Sequence, residues 1–227
     1  MRPPHGPRSR RRFDVRPWAL IGALGCAAPI GSEQPQSPYA AAVVYFEPGD
    51  NAGYGQDDLP DVVLGAPTGK GSGAGSTDVL SLGLGGEIVL DFGRCTLVDE
   101  AGPDLLVFEN PFWPGGNPDA VFAELGEVAV SADGERFESF PCQTEAPEPG
   151  RYPGCAGVTP TLDFDPATPS PLDPELTGGD AFDLADVGLS EARYVRIRDL
   201  AAPIDASDAP SAGFDLDAVA AINCRWR

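Results

Sequence analysis

Histidine and lysine are nearly missing from this chain of 227 residues. Histidine occurs only as His5 and lysine only as Lys70. Because His5 lies in the N-terminal segment, no residue beyond it supplies the histidine of a Ser-His-Asp triad, a Cys-His pair or a metal site. Glycines surround Lys70, but their spacing does not match a phosphate-binding Walker loop and no helix follows. We therefore interpret this stretch as a flexible loop.

Positive charge of any kind is scarce. Lysine and arginine together number 15 against 35 acidic residues, and the formal net charge is −20. Loss of the first 25 residues would remove six arginines and Asp14, leaving nine basic and 34 acidic residues. This excess of negative charge disfavours nucleic acid as a partner and repels anionic lipid, so membrane attachment would depend on a lipid anchor.

A long hydrophobic run is also absent. The most apolar N-terminal stretch, from Trp18 to Leu24, is too short for a membrane span of about 20 residues. Paired arginines in Ser9-Arg10-Arg11-Arg12-Phe13 precede it, which is typical of an export signal. We predict a signal peptide over residues 1–25, of the twin-arginine type or of the general secretory type.

The end of this signal resembles a lipobox. In Ala23-Leu24-Gly25-Cys26, small residues precede a cysteine that would be lipidated and become the new N-terminus. The alternative is ordinary cleavage near Ala27 or Ala28, which would give a secreted protein. Residues 26–38 are rich in Pro, Ser and Gln and predict a flexible tether. We expect a lipid-anchored protein at the cell surface, the outer membrane or the periplasm.

Four cysteines follow Cys26, at positions 95, 142, 155 and 224. An exported protein meets an oxidising environment, so an even number of cysteines favours two disulfides, of which three pairings exist. Cys142 and Cys155 flank a short loop, and Cys95 and Cys224 end strand-like runs. We favour the pairs 142–155 and 95–224. A zinc site is disfavoured because no Cys-x-x-Cys spacing occurs.

Residues 39–227 contain no repeat and no second linker, which predicts one domain. Short β-rich runs separated by Gly, Pro, Asp and Asn recur throughout, and Asp133-Gly134 is a strong hairpin signal. The pattern favours an all-β, antiparallel β-sandwich with long loops. The predicted strands are Ala42 to Phe46, Glu87 to Phe92, Asp104 to Glu109, Glu127 to Ser131, Arg136 to Phe140, Arg193 to Asp199 and Ala218 to Asn223. The predicted long loops cover residues 49–61, 65–77, 110–119 and 144–177.

Several segments, taken together, resemble a bacterial cell-surface and secreted protein family of uncharacterised function, over roughly residues 43–223. They include Val63-Leu64-Gly65-Ala66-Pro67, Leu105-Leu106-Val107-Phe108-Glu109-Asn110-Pro111-Phe112, Gly178-Gly179-Asp180-Ala181-Phe182-Asp183-Leu184 and Gly213-Phe214-Asp215-Leu216-Asp217-Ala218-Val219. The Ser131 to Gly134 turn and the Ala192 to Ile197 strand also resemble discoidin-type, galactose-binding-like domains. That resemblance implies a jelly-roll sandwich of about eight strands, an architecture that hosts several kinds of binding.

Carboxylates in turn-rich segments indicate calcium, a hard ion that binds six to eight oxygens. One cluster follows a Gly-Gly turn, a second places two acids on one strand face, and a glutamate ends another strand. The candidate ligands are Asp180, Asp183, Asp186, Asp215, Asp217 and Glu109. The alternative is that these acids cap turns and solvate the surface.

Aromatic residues in loops are the candidate contacts with a partner, because their rings stack on sugars or fill protein pockets. They are Tyr54, Phe112, Trp113 and Tyr152. Phe112 has a structural alternative, as a plug at the end of the sandwich. Our leading hypothesis is a non-catalytic, calcium-stabilised surface domain that binds a carbohydrate or an envelope protein.

Two other functions stay open. The first is a structural envelope protein without a specific small ligand. The second is an enzyme acting on polysaccharide, in which Glu109 and Glu124 would supply the two carboxyl groups of glycoside hydrolysis. The sequence favours neither of these functions over the binding domain. For the enzyme, nothing in the spacing distinguishes Glu109 and Glu124 from the many other acidic residues.

Overall fold

The computed structural model describes residues 36–145, 148–163, 172–200 and 212–227. The predicted signal peptide, Cys26 and most of the tether lie outside them, as does part of the predicted loop 144–177. Residues 36–227 form one compact unit. Within the described ranges, no helix has the length and apolar character needed to cross a membrane.

Strands dominate the described residues, and every pairing between them is antiparallel. The only α-helix among them is the single turn α1, Pro174–Thr177. The prediction of an all-β fold is therefore confirmed. The strands are β1 Ala42–Glu47, β2 Leu80–Ser81, β3 Glu87–Asp91, β4 Cys95–Val98, β5 Leu105–Phe108, β6 Gly126–Ser131, β7 Glu138–Ser139, β8 Asp180–Phe182, β9 Glu191–Ala192, β10 Tyr194–Asp199, β11 Asp215–Leu216, β12 Ala218–Ala221 and β13 Cys224–Trp226. Short 3-10 turns occupy Gln56–Asp58, Asp61–Val63, Pro114–Gly116, Pro118–Ala120 and Leu184–Val187.

The largest sheet has five strands in the order β1-β3-β10-β6-β7. In β10, Val195 and Ile197 are buried, whereas Arg196 faces outward between Glu87 and Glu127, at 3.8 Å from each carboxylate. This is the alternation expected of a sheet with one face on the core. The predicted Asp-Gly hairpin joins β6 to β7, although β7 keeps only two residues.

Three smaller sheets complete the domain, in the orders β11-β2, β12-β5-β8 and β13-β4-β9. One hydrophobic core contains side chains from the five-stranded sheet and from the smaller sheets. Strand β5 is buried on both faces, because Leu105 and Val107 join this core while Leu106 and Phe108 form a second cluster with β12. Its continuous apolar sequence follows from that double burial.

Six of the strands were not predicted, and they have only two to four residues each. Segments this short show no measurable periodicity, and tertiary pairing decides their conformation. Strand β8 is an example: its Asp180 belongs to a segment that we expected to be a calcium-binding turn, yet this residue pairs with Val107 of β5.

Two disulfides join the cysteine pairs favoured from the sequence. Cys95 and Cys224 link β4 to β13 across a sequence separation of 129, and Cys142 and Cys155 close a loop with a separation of 13. Chain entropy makes the longer closure the more stabilising one, because it removes more conformations from the unfolded state.

We expect Cys95→Ala/Cys224→Ala to lower the free energy of unfolding by about 5 kcal/mol and Cys142→Ala/Cys155→Ala by about 3 kcal/mol, from the entropy of loop closure alone. Urea denaturation of both variants under oxidising conditions measures the difference. An equal or larger loss in the second variant would contradict the entropic account.

Candidate functional site

Three carboxyl groups from distant parts of the chain meet beside the end of β5. One oxygen each from Glu109, Glu124 and Asp215 lies within 4.8 Å of the others. Glu109 follows β5 directly, Glu124 precedes β6 by two residues, and Asp215 begins β11. Because β5 and β12 pair with Phe108 opposite Ala218, the segment just before β12 lies next to Glu109. We call these three residues the carboxylate triad.

Each member of the triad accepts a hydrogen bond on its carboxyl group. Glu109 Oε1 accepts the N–H of Asp215 at 3.2 Å, and Glu124 Oε1 accepts the N–H of Gly213 at 3.1 Å. Asp215 Oδ2 accepts Asn110 Nδ2 at 3.3 Å. In the described part of the chain, no donor reaches the buried Glu109 Oε2, and none meets hydrogen-bond geometry at the buried Asp215 Oδ1, although the nearby Ser81 side chain lowers the pKa of Asp215. Such atoms are rare in folded proteins and call for a physical explanation.

The charges around the triad are of one sign. Burial, reinforced by Asp215 and then by Glu124, raises the pKa of Glu109 well above its usual range. Burial also raises the pKa of Glu124 to about 7, again with a contribution from Asp215. The pKa of Asp215 is raised mainly by its own burial. Ionised together, these groups would hold three negative charges at low dielectric, which is unfavourable unless protons or a cation compensate.

Surrounding loops keep the triad in place. Asn110 donates to the carbonyl of Ser76 at 3.0 Å as well as to Asp215, and the hydroxyl of Thr161 donates to the carbonyl of Glu109 at 2.8 Å. Gly75 passes so close that a Cβ there would lie 2.7 Å from the carbonyl oxygen of Asn110. Only glycine fits this contact between the two loops.

Residues 110–123 form a loop that Glu109 and Glu124 flank on either side. The N–H of Phe122 donates to the carbonyl of Phe112 at 2.9 Å, and the two rings stack with centroids 5.2 Å apart and planes at 21°. The Phe122 side chain is 41% exposed. We call this segment the aromatic loop. Its ends are tied to the triad, and its rings reach the surface.

The glycine-rich segment before β2 contacts two of the predicted partner-binding aromatics. The N–H of Trp113 donates to the carbonyl of Ser72 at 2.8 Å, and the hydroxyl of Tyr54 donates to the carbonyl of Thr77 at 2.7 Å. Tyr54 is 45% exposed. The structure therefore places Tyr54, Phe112 and Trp113 around one group of loops. Tyr152 lies in the loop closed by Cys142 and Cys155, which approaches the aromatic loop, since a Cβ at Gly150 would lie 2.6 Å from the carbonyl oxygen of Pro118.

Of the six predicted calcium ligands, the structure brings Glu109 and Asp215 together. Asp180 instead accepts the N–H groups of residues 157–159, at 2.7 to 3.0 Å. Burial nevertheless raises its pKa to about 6. Asp217 accepts the N–H of Thr68 on both oxygens, and burial followed by the charge of Asp78 raises its pKa to about 7.

The other two predicted ligands, Asp183 and Asp186, lie at the 3-10 turn Leu184–Val187. Asp183 caps it by accepting the N–H of Ala185 at 2.9 Å, and Asp186 is exposed within it. Asp183 also approaches Asp99 and Asp104, which makes a second acidic group. In that group the buried Asp104 already has donors on both oxygens, so it differs from the triad.

Glu124 was missed as a possible metal ligand, since the sequence suggested it only as the catalytic partner of Glu109. In the sequence, no regular spacing relates Glu124 to Asp215. The only local signals of the site are the Glu109-Asn110-Pro111 and Gly213-Phe214-Asp215 motifs. Glycoside hydrolysis needs two carboxyl groups that both reach a sugar in a cleft. Because Glu109 is only 1% exposed, the geometry suits ion binding better than glycoside cleavage.

Comparison with protein-family models finds no match for this chain, and comparison with curated proteins finds none either. The likeness to a bacterial cell-surface family therefore stays an expectation from its motifs. We therefore infer the chemistry of the site from the residues of this chain.

Without divalent cations, we expect the free energy of unfolding to fall as the pH rises from about 5 to about 8. Asp180, Glu124 and Asp217 have folded-state pKa values of about 6, 7 and 7. Each lies above its unfolded value, so the folded chain binds more protons. This stabilisation is complete below the unfolded pKa and disappears as the pH rises through the folded one.

Urea denaturation of the chelated and dialysed protein at several pH values measures this dependence. Asp217→Asn should make this dependence less steep than in the wild type, because it removes one titrating group. A stability that is constant or increases over this range would show that the buried acids do not titrate in this way.

Proposed function

We propose that this protein is an exported, non-catalytic surface domain that binds carbohydrate through its aromatic loop. The observation that carries the proposal is a stacked aromatic pair, partly exposed, on a loop whose ends are tied to buried carboxylates. Rings held in place before binding lose little conformational entropy when a partner stacks on them. A carbohydrate-binding domain needs such a surface, and it needs no catalytic group.

The composition supports an uncharged sugar over other partners. A pyranose presents an apolar face to a ring and hydroxyl groups to nearby polar atoms. The aromatic loop carries both kinds of group, because Phe122 is 41% exposed and the polar side chain of Asn117 is exposed in the same loop. With a net charge of −20, the protein would attract polyanions poorly, which argues against nucleic acid.

We further propose a jelly-roll arrangement of the sheets and an attachment through lipidated Cys26. The resemblance to galactose-binding-like domains supports the first, together with antiparallel sheets that share one core. The lipobox-like Ala23 to Cys26 supports the second, and two disulfides fit an oxidising compartment. A tether of about a dozen residues would then let the domain extend from the membrane.

The carbohydrate proposal predicts that Phe122→Ala and Trp113→Ala each weaken glycan binding by at least about tenfold, since a truncated ring loses its stacking contact. The full chain is screened against immobilised polysaccharides, and the best binder is then titrated by calorimetry. Tyr45→Ala is the matched control, because Tyr45 is 44% exposed but lies on β1.

Equal binding by the loop variants and the control would move the site away from the aromatic loop. Cross-linking to envelope proteins without binding to any glycan would favour the structural alternative.

Lipid attachment predicts that Cys26→Ala abolishes incorporation of labelled fatty acid. In detergent phase separation, the exported wild-type protein should enter the detergent phase and the variant the aqueous phase, because only an acyl chain supplies the necessary apolar surface. Aqueous partition of both proteins would instead support the secreted form.

A further inference from the structure

We infer that Glu109, Glu124 and Asp215 bind one hard divalent cation, of which calcium fits best. This site goes beyond the proposed carbohydrate contact and does not depend on it. The geometric basis is the convergence of three carboxyl groups within 4.8 Å, two of them with a buried oxygen that has no donor. Glu109 is 1% exposed, so bulk solvent does not reach its free oxygen.

A cation satisfies all three groups at once, and protons do so less well. Each proton added to the triad removes one negative charge and lets one carboxyl group donate to a neighbour, so it satisfies only one pair of groups. One dication binds several carboxylate oxygens and compensates most of their charge. The neighbours that raise the pKa of Glu109 are Asp215, Glu124 and Asp180, all of them acidic, so they offer no competing positive charge.

The donor set selects the kind of ion. All three side chains offer oxygen, which suits hard cations, whereas zinc favours nitrogen and sulfur donors. The four cysteines of the described residues are engaged in disulfides. Calcium binds oxygens at about 2.3–2.6 Å in irregular geometry, so oxygens up to roughly 5 Å apart can share one ion. Magnesium demands a nearly ideal octahedron and fits fixed, uneven ligands less well.

Bound there, the ion closes the aromatic loop. Glu109 and Glu124 are the residues on either side of the loop 110–123, and Asp215 adds the start of β11. Asn110 extends the connection to Ser76. A shared ion thus joins three segments that are distant in the sequence and adds to the pairing of β5 with β12. The free energy of ion binding becomes stability of the folded state.

The test is calcium titration of the chelated full chain at pH 7.5, by calorimetry and by thermal unfolding. We expect one calcium per chain and, at one hundred times the Kd, a rise of about 5–10 °C in the unfolding midpoint. Magnesium at the same concentration should raise it less. The absence of a calcium effect, or an equal effect of magnesium, would overturn the assignment.

Two variants locate the ion. Glu124→Gln changes a half-buried group and should weaken calcium binding by at least about tenfold while the protein stays folded. Glu109→Gln should abolish binding, although it changes a fully buried group. The matched control is Asp183→Asn, in the second acidic group, which should bind calcium like the wild type. Equal calcium affinity in Glu124→Gln and the wild type would refute the site.

Proton sharing within the triad predicts a different result from calcium binding. Greater stability at pH 5 without calcium is expected in either case, so the discriminating measurement is at pH 7.5. If the triad merely shares protons, calcium should add no stability there. That result would overturn the inference. Phe122→Ala should keep the full calcium effect even where it loses glycan binding. Failure of the carbohydrate proposal and failure of the ion site are therefore distinguishable.

Discussion

Buried aspartates that accept backbone N–H groups from remote segments hold this domain together. Asp180 accepts three such groups from residues 157–159, and Asp199 accepts those of Gly85 and Phe214. Loops rich in glycine and proline bury little apolar surface of their own. Hydrogen bonds to a carboxylate are short and strong, and they give such loops a defined position. Without the acid, the buried N–H groups would be left unpaired at a large energetic cost.

The triad also consists of acidic residues, but it has fewer hydrogen-bond donors for its carboxylate oxygens. Asp180 and Asp199 each have donors on both oxygens, whereas Glu109 has one donor on one oxygen and three acidic neighbours. Backbone N–H groups therefore account for the isolated buried acids and leave the triad with an excess of acceptors. An excess of acceptors at low dielectric requires protons or a cation to compensate it, and the proposed ion would do so. The acidic residues of this chain thus include buried groups as well as surface groups.

The position of the triad connects it with the proposed carbohydrate contact. Its two glutamates are the first residues outside the aromatic loop, so any group that draws them together also fixes the loop. The stacked rings of Phe112 and Phe122 brace the loop from within. Rigid rings on a braced loop are what a stacking partner requires, since ordering the loop during binding would weaken affinity.

The sequence by itself determined the secondary-structure class and the main strands, and it favoured the cysteine pairs that the structure contains. Strands such as β3 and β10 are long enough to show apolar alternation, and a strand that packs on a core must show it. The two-residue strands carry no such pattern. Tertiary structure alone decided that Asp215 lies beside Glu109, because this depends on the register of β5 against β12. It likewise decided that Glu124 joins them, through its contact with the N–H of Gly213. It also decided that Asp180 and Asp217 bind backbone groups, since burial and partners, rather than residue type, select the role of a carboxylate.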